Sequence, residues 1–312
     1  MIDLSICVIS FNQSKYIEQC LKSIVKQKTS YNIEIVLSDD CSKDDTVLKA
    51  RKILINSNLP YTINIMPSNG GFQENLKAAL NICKGRFIAL CEADDYWCTD
   101  SRIDKQIKIL DSNKGLALSF SAAKSVNEKG EYLGNMRPNI GNRIYSASEL
   151  ISKGSSLCPT FTIVFRRSFY EKITPKIYEQ PVFDYPLQVL LAVQGEGYYF
   201  DEYFGCYRRN AIGSWSSGGG TRDKLVERYK ASRCMHLFFI NQIDKKYKWS
   251  LNFLFYKGAL VFFRRKEVPF KMKSIELIKD FNRFGLLNVV SIFALIIFTA
   301  KNLIVKLVER LF

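Results

Sequence analysis

Histidine is nearly absent from this sequence: His236 is the only one in 312 residues. A Ser-His-Asp triad built elsewhere, a multi-histidine metal centre and an H-E-x-x-H motif are therefore excluded. If the chain is an enzyme, its acid-base chemistry falls to carboxylates. Paired cysteines are missing too. The nine cysteines, at 7, 20, 41, 83, 91, 98, 158, 206 and 234, are odd in number, form no C-x-x-C, and often sit inside apolar runs. That usage reads as reduced, buried thiols of a cytosolic protein. No G-x-G-x-x-G follows the first apolar run, which disfavours a dinucleotide fold of the dehydrogenase kind. The opening "MIDLSICVIS" carries Asp3 and lacks a basic stretch before a long apolar core, so it reads as a strand and not as a signal peptide. No repeat of fixed period and no long low-complexity tract occurs.

What is present begins with charge. The formal net charge is +15, and residues 221–312 hold 19 Lys+Arg against 7 Asp+Glu, so only +3 belongs to residues 1–220. A basic C-terminal region suits nucleic acid, anionic lipid or a polyanionic substrate, and equally a set of solvated Lys-rich helices; charge alone does not choose. With 47% hydrophobic residues the chain can bury a substantial core.

Periodicity gives the organisation. Leu4 to Ser10 is a short β-branched run, followed by Tyr16, Ile17, Cys20, Leu21, Ile24 and Val25 at helical spacing behind a cap expected at Asn12 or Ser14. The unit recurs in "IEIVLS" then "DDTVLKARKILI", "YTINIM" then "GGFQENLKAALNIC", and "GRFIALC" then "SRIDKQIKILD". Strands alternating with helices predict an α/β fold with a mostly parallel sheet covered on both faces. From about Gly115 to Tyr207 shorter strands and helices predict an α+β half. The Gly/Ser cluster at 213–221 is the expected boundary to a helical C-terminal region.

In a parallel sheet, ligands bind beyond the carboxyl ends of the strands, where loops converge. Here those loops read "SFNQS", "SDDCSKDD", "PSNGGF" and "CEADDYW". Glu92, Asp94 and Asp95 repel one another at one strand end, and Asp39 and Asp40 sit at another, so a compensating cation is expected. Hard oxygen ligands select Mg2+ or Mn2+. Magnesium is usually held by one or two carboxylates together with substrate phosphates and water, which implies a phosphorylated ligand.

These residues are recognisable. "SICVISFNQSKYIEQCLKSIVKQ", "EIVLSDDCSKDDT", "NGGFQEN", "GRFIALCEADDYWCTDSRIDKQ" and "FDYPLQVLLAVQGEGYYFDEYFGCYRRNAIGSWS" resemble, in order, the family 2 glycosyltransferases, inverting enzymes of GT-A fold, over about residues 4–217. The resemblance implies a catalytic domain over 1–217 and a basic helical region over 218–312. It implies that Ser10, Phe11 and Asn12 lie against the nucleotide base and that Asp40, with Asp39 beside it, accepts a hydrogen bond from that base. Asn69 and Gly71 would shape the loop under the diphosphate and sugar, with Asn75 on the following helix. "Glu92-Ala93-Asp94" and Asp95 match the family's acidic metal-binding element, with Glu92 in place of the usual first Asp and Asp94 or Asp95 favoured as the ligand. Asp184 matches the base aspartate, with burial raising and a helix N-terminus lowering its pKa. Arg208 matches an arginine that reaches a phosphate; Asn210 stands where the family often has histidine. The loop "GSSLCPTF" would select the acceptor.

The implied activity is transfer of a sugar from a nucleotide diphospho-sugar, a UDP-sugar by preference, to a hydroxyl of a growing surface polysaccharide or lipid-linked glycan. Nucleotidyl transfer competes but would need a basic loop after the first strand, which "SFNQS" does not supply. A catalytically inactive nucleotide-sugar-binding module is the other alternative. Trp97 and Trp215 suit either sugar stacking or packing, and His236 reads as structural. The terminal apolar run 289–300 is short for a membrane span, and its polar stripe suits a helix lying in a membrane interface near upstream cations. Docking on the catalytic domain or a homodimer contact accounts for the stripe as well. The expectation is a cytoplasmic protein held peripherally on the inner face of the cell membrane, with an anionic lipid surface and no nucleic acid as partner.

Overall fold

The computed structural model describes residues 1–211, 221–265, 267–269, 271–273 and 276. The terminal run 289–300, Trp215 and the boundary segment 213–220 lie outside them. The chain divides into two compact units, Met1–Gly218 and Gly219–Phe312.

The first unit opens as the periodicity predicts: β1 (Leu4–Ser10), α1 (Ile17–Val25), β2 (Ile33–Asp39), α2 (Thr46–Ile55), β3 (Tyr61–Ile65), α3 (Gly71–Ile82), β4 (Phe87–Glu92), β5 (Tyr96–Trp97) and α4 (Arg102–Ser112). It continues with β6 (Leu116–Val126), β7 (Tyr132–Met136), β8 (Arg143–Tyr145), α5 (Ala147–Lys153), β9 (Val164–Arg166), α6 (Arg167–Tyr170), α7 (Asp184–Ala192) and β10 (Glu196–Arg208). The strands form one sheet in the order β3-β2-β1-β4-β9-β6-β10-β5, with β7 on β6 and β8 on β10. Adjacent pairs among β3, β2, β1 and β4 are parallel, as is β6 with β10. Strand β9 runs antiparallel to both β4 and β6, so it reverses direction between two parallel blocks that point the same way.

β1 and β2 are buried along their whole length, which is why "LSICVIS" and "IEIVLSD" are not strictly alternating: helices cover both faces. Ile17, Cys20, Leu21 and Ile24 of α1 are fully buried against the sheet in the same cluster as Ile6, Val8 and Ile35, the Ile and Leu side chains each worth about 1.5–3 kcal/mol of transfer free energy. The expected side-chain cap of α1 is absent. The helix starts behind Tyr16 with no capping side chain, because Asn12 and Ser14 are used elsewhere.

In the second unit α8 (Arg222–Gln242) and α9 (Lys248–Arg264) pair through aromatic rings. Tyr229 stacks on Phe262 at 4.3 Å, and His236 on Phe255 at 4.6 Å. A buried Arg233–Glu276 ion pair of 2.6 Å adds to the unit. Burial pushes the His236 pKa down to about 4, so the sole histidine is a packed, neutral ring. All nine cysteines are free thiols. Among the described residues no helix is long and apolar enough to cross a membrane.

Candidate active site

The register places the ends of β1, β2 and β4 side by side: Ser10 pairs with Asp39, and Ile9 with Glu92. The loops beyond them form one polar edge. Asp39 is fully buried and accepts hydrogen bonds from Ser10 Oγ at 2.7 Å, from the Ser42 main-chain N–H at 2.7 Å and from Ser42 Oγ at 2.6 Å. Asn12 adopts a left-handed backbone with φ 52°. Its N–H donates to Ser42 Oγ at 2.7 Å, and its Oδ1 accepts from the Lys43 N–H at 2.9 Å. The Ser14 N–H donates to Asp44 at 3.0 Å. The two residues expected to cap α1 thus stitch the first loop to the second, and Phe11 is left 40% exposed at the edge.

Asp40 accepts from the Gly70 and Gly71 N–H groups at 2.7 and 2.8 Å, one on each carboxylate oxygen. It therefore satisfies the start of α3, which has no side-chain cap of its own, and holds the turn that Gly71 makes at φ 82°. Asn75, buried on α3, donates through Nδ2 to the main-chain oxygens of Ser10 at 3.3 Å and Ser38 at 3.1 Å, joining β1 to β2. Asn69 is exposed.

The acidic element forms a turn between β4 and β5, with the Asp95 N–H donating to Glu92 O at 3.0 Å. Glu92, Asp95 and Asp184 line a single cavity of about 170 Å³, whose other walls include Ser155, Ser156, Thr160 and Phe161. The "GSSLCPTF" loop therefore supplies one side of the cavity that holds the base candidate. Asp94 and Asp40 do not line it. Asp184 opens α7, and one of its oxygens accepts from the Tyr185 N–H at 2.7 Å. The two opposing influences expected on its pKa resolve in favour of burial, which raises it against the pull of main-chain N–H groups. Burial likewise pushes Glu92 up to about 8, reinforced by the charges of Asp94 and Asp184. Asp95 is raised well above the carboxylate range by burial, then by Asp94 and Glu92.

Among the described residues no lysine or arginine lines the cavity, and Glu92 Oε2 is buried without a hydrogen-bond partner. Carboxylates facing a cavity with no cationic side chain in its described wall leave room for a divalent cation, which fits the donor set. Among the described residues no three His, Cys, Asp or Glu side chains converge tightly enough to hold a metal alone, so substrate oxygens and water would complete the shell.

Arg208 is where the structure departs from expectation. It is 2% exposed, and its guanidinium is already engaged: Nε donates to Asp94 O at 2.9 Å, Nη1 to Asn127 O and Glu128 O at 3.3 and 2.9 Å, and Nη2 to Gln19 Oε1 at 2.6 Å. It braces the acidic turn instead of offering an open fork to a phosphate. Trp97 is packed, 1% exposed with the Arg102 guanidinium 4.0 Å above its ring. Gln19 and Ser42 gave no sequence signal beyond being polar, and their roles emerge only from residues far away in the chain.

A mostly parallel sheet of this order, interrupted by one reversed strand and carrying carboxylates at its parallel edge, is the GT-A glycosyltransferase architecture. The chain belongs to glycosyl transferase family 2, whose pattern it matches over residues 5–174. It is 30% identical over 225 residues to the uncharacterised protein Rv1520 of Mycobacterium tuberculosis, covering 72% of this chain and 64% of that one. Thus it spans less than two thirds of that relative's length. It is 34% identical over 111 residues, 36% of this chain and 42% of the relative, to the Escherichia coli UDP-Glc:alpha-D-GlcNAc-diphosphoundecaprenol beta-1,3-glucosyltransferase WfaP. The crystal structure of S. aureus TarS 1-349 in complex with UDP-GlcNAc superposes with a TM-score of 0.65 at 17% identity, covering 93% of this chain and 90% of that one.

Proposed function

We propose that the chain transfers a sugar, with inversion, from a nucleotide diphospho-sugar to an acceptor hydroxyl of a surface polysaccharide or lipid-linked glycan. The observation that carries the reading is the shared cavity: Asp184 faces the same space as Glu92 and Asp95. The donor is a UDP-sugar, as in the names of the WfaP and TarS relatives. Residues 1–217 form the catalytic domain and 218–312 a basic helical region. The surplus of cations there suits a peripheral position on the anionic inner face of the cell membrane.

Glu92 and Asp95, with Asp94 at the same turn, would hold Mn2+ or Mg2+. When bound, such a cation supplies charge stabilisation for the departing diphosphate. Asp184 receives the proton of the attacking hydroxyl as the new glycosidic bond forms. Its raised pKa makes it a stronger base than an ordinary aspartate. The hydroxyls of Ser155, Ser156 and Thr160 give the acceptor side hydrogen-bonding partners without charge, which suits a neutral sugar.

Incubating the purified chain with a panel of UDP-sugars, a glycan acceptor and Mn2+ tests the reading. Asp184→Asn should lower transfer by about 10²–10⁴-fold and leave donor affinity, measured by calorimetry, within a few fold. Transfer at the parental rate in Asp184→Asn would remove the aspartate from the mechanism.

A further inference from the structure

We infer that Arg208 is a positioning residue of the transfer reaction, a buried cation that sets the geometry of the Glu92–Asp95 turn without touching the donor. The inference rests on the glycosyltransfer reading of that turn.

Two parts of one residue meet the two aspartates. The Arg208 main-chain N–H donates to Asp95 Oδ1 at 2.8 Å, which fixes the rotamer of the carboxylate in the cavity wall. The Nε of its side chain donates to the main-chain oxygen of Asp94 at 2.9 Å, which fixes the turn itself. The remaining bonds anchor the guanidinium to elements that do not enter the site: Gln19 on α1, and the main-chain oxygens of Asn127 and Glu128 in the β6–β7 turn. Its flat faces lie over Tyr16 at 4.6 Å and Tyr96 at 5.5 Å from the ring centroids. The planar fork thus reaches three directions at once, which one lysine ammonium cannot do. Among the described residues no carboxylate forms a salt bridge with Arg208; its side chain is held by main-chain oxygens, the Gln19 amide and two aromatic faces.

Metal-site supports of this kind typically change metal affinity or activity about 10–100-fold when removed. The test compares the parental chain, Arg208→Lys and Gln19→Ala. Free Mn2+ is followed by electron paramagnetic resonance during titration with UDP present, UDP affinity is measured with the metal chelated, and kcat and KM are measured separately. Arg208→Lys keeps the charge and loses the fork. It should raise the half-saturating Mn2+ concentration about tenfold and lower kcat by a similar factor, with metal-free UDP affinity and acceptor KM unchanged within about twofold. Gln19→Ala removes only the Nη2 partner and should shift the Mn2+ titration in the same direction by about threefold. This second variant keeps the test decisive if Arg208→Lys does not fold. Loss of metal-free UDP affinity would make Arg208 a donor ligand and overturn the inference. So would folded variants with a parental Mn2+ titration, whatever their melting temperature. A parental chain that binds neither UDP nor Mn2+ would instead overturn the glycosyltransfer reading, and this inference with it.

Discussion

Asp40→Asn separates two uses of one carboxylate. The resemblance gives Asp40 to the nucleotide base, whereas the structure has both its oxygens on the N–H groups of Gly70 and Gly71 at 2.7 and 2.8 Å, with the residue 3% exposed. Asparagine keeps one oxygen and turns an NH2 group toward the other N–H. One charge-assisted bond, worth about 1.5–3 kcal/mol, is lost, and a buried donor is left facing a donor at a cost of about 1–3 kcal/mol. A cost of about 3 kcal/mol is the cautious sum. For a unit of this size each kcal/mol moves the melting temperature by about 2–4 °C, so the fall should be about 6–12 °C. Differential scanning fluorimetry of the ligand-free chain reads this directly, and urea unfolding gives the free energy. A melting temperature within about 2 °C of the parent, together with a large loss of UDP affinity, would refute the assignment of Asp40 to the loop and return it to the base.

Two further outcomes follow from the packing. The folded-state pKa of His236 is depressed to about 4 from an ordinary 6.5. Below pH 6.5 the unfolded chain takes up a proton that the folded chain refuses, so stability is complete above 6.5 and lost as pH falls toward 4, by up to about 3 kcal/mol. His236→Phe should flatten that part of the urea-unfolding pH profile, and an unchanged slope would mean the ring is already protonated when folded. A Cβ at Gly205 would lie 2.4 Å from Phe161 Cε2 and 2.9 Å from Tyr96 O. Gly205→Ala should therefore destabilise by about 1–3 kcal/mol and raise the acceptor KM by displacing Phe161 from the cavity wall; an unaltered unfolding midpoint would show that the ring is not where the structure has it.

The first four strands and helices were legible because their signals are local. A β-branched run such as "LSICVIS" and the spacing of Ile17, Cys20, Leu21 and Ile24 carry their own periodicity. The two-residue strand Tyr96–Trp97 had no such signal, since it is a strand only by pairing with Gly205 and Cys206. The same distinction applies to the site. Carboxylates at strand ends were visible as types in a pattern, and the loop at 154–161 as a segment expected to select the acceptor. Which carboxylates share a cavity was not, because that depends on how α7 returns to the edge of β4. Glu92 faces the cavity although the shorter aspartates were favoured, and Asn12 and Ser14 abandoned the helix cap for partners about thirty residues ahead. Arg208 was the least readable of all: its partners lie between 80 and 189 positions away, and a guanidinium does not announce whether a ligand or the chain itself will occupy it.

That distance has a consequence for synthesis. Asp95 and the residue that locks it are separated by 113 positions, and translation runs from the first to the second. A nascent chain still short of residue 208 can assemble the early parallel strands at the ribosome, but it lacks the end of β10 that locks Asp95 and, before residue 184, the aspartate that shares its cavity. Premature termination would leave a folded-looking fragment whose carboxylates lack the contacts that position them, so the order of the motifs defers completion of the candidate site until nearly the whole first unit has emerged.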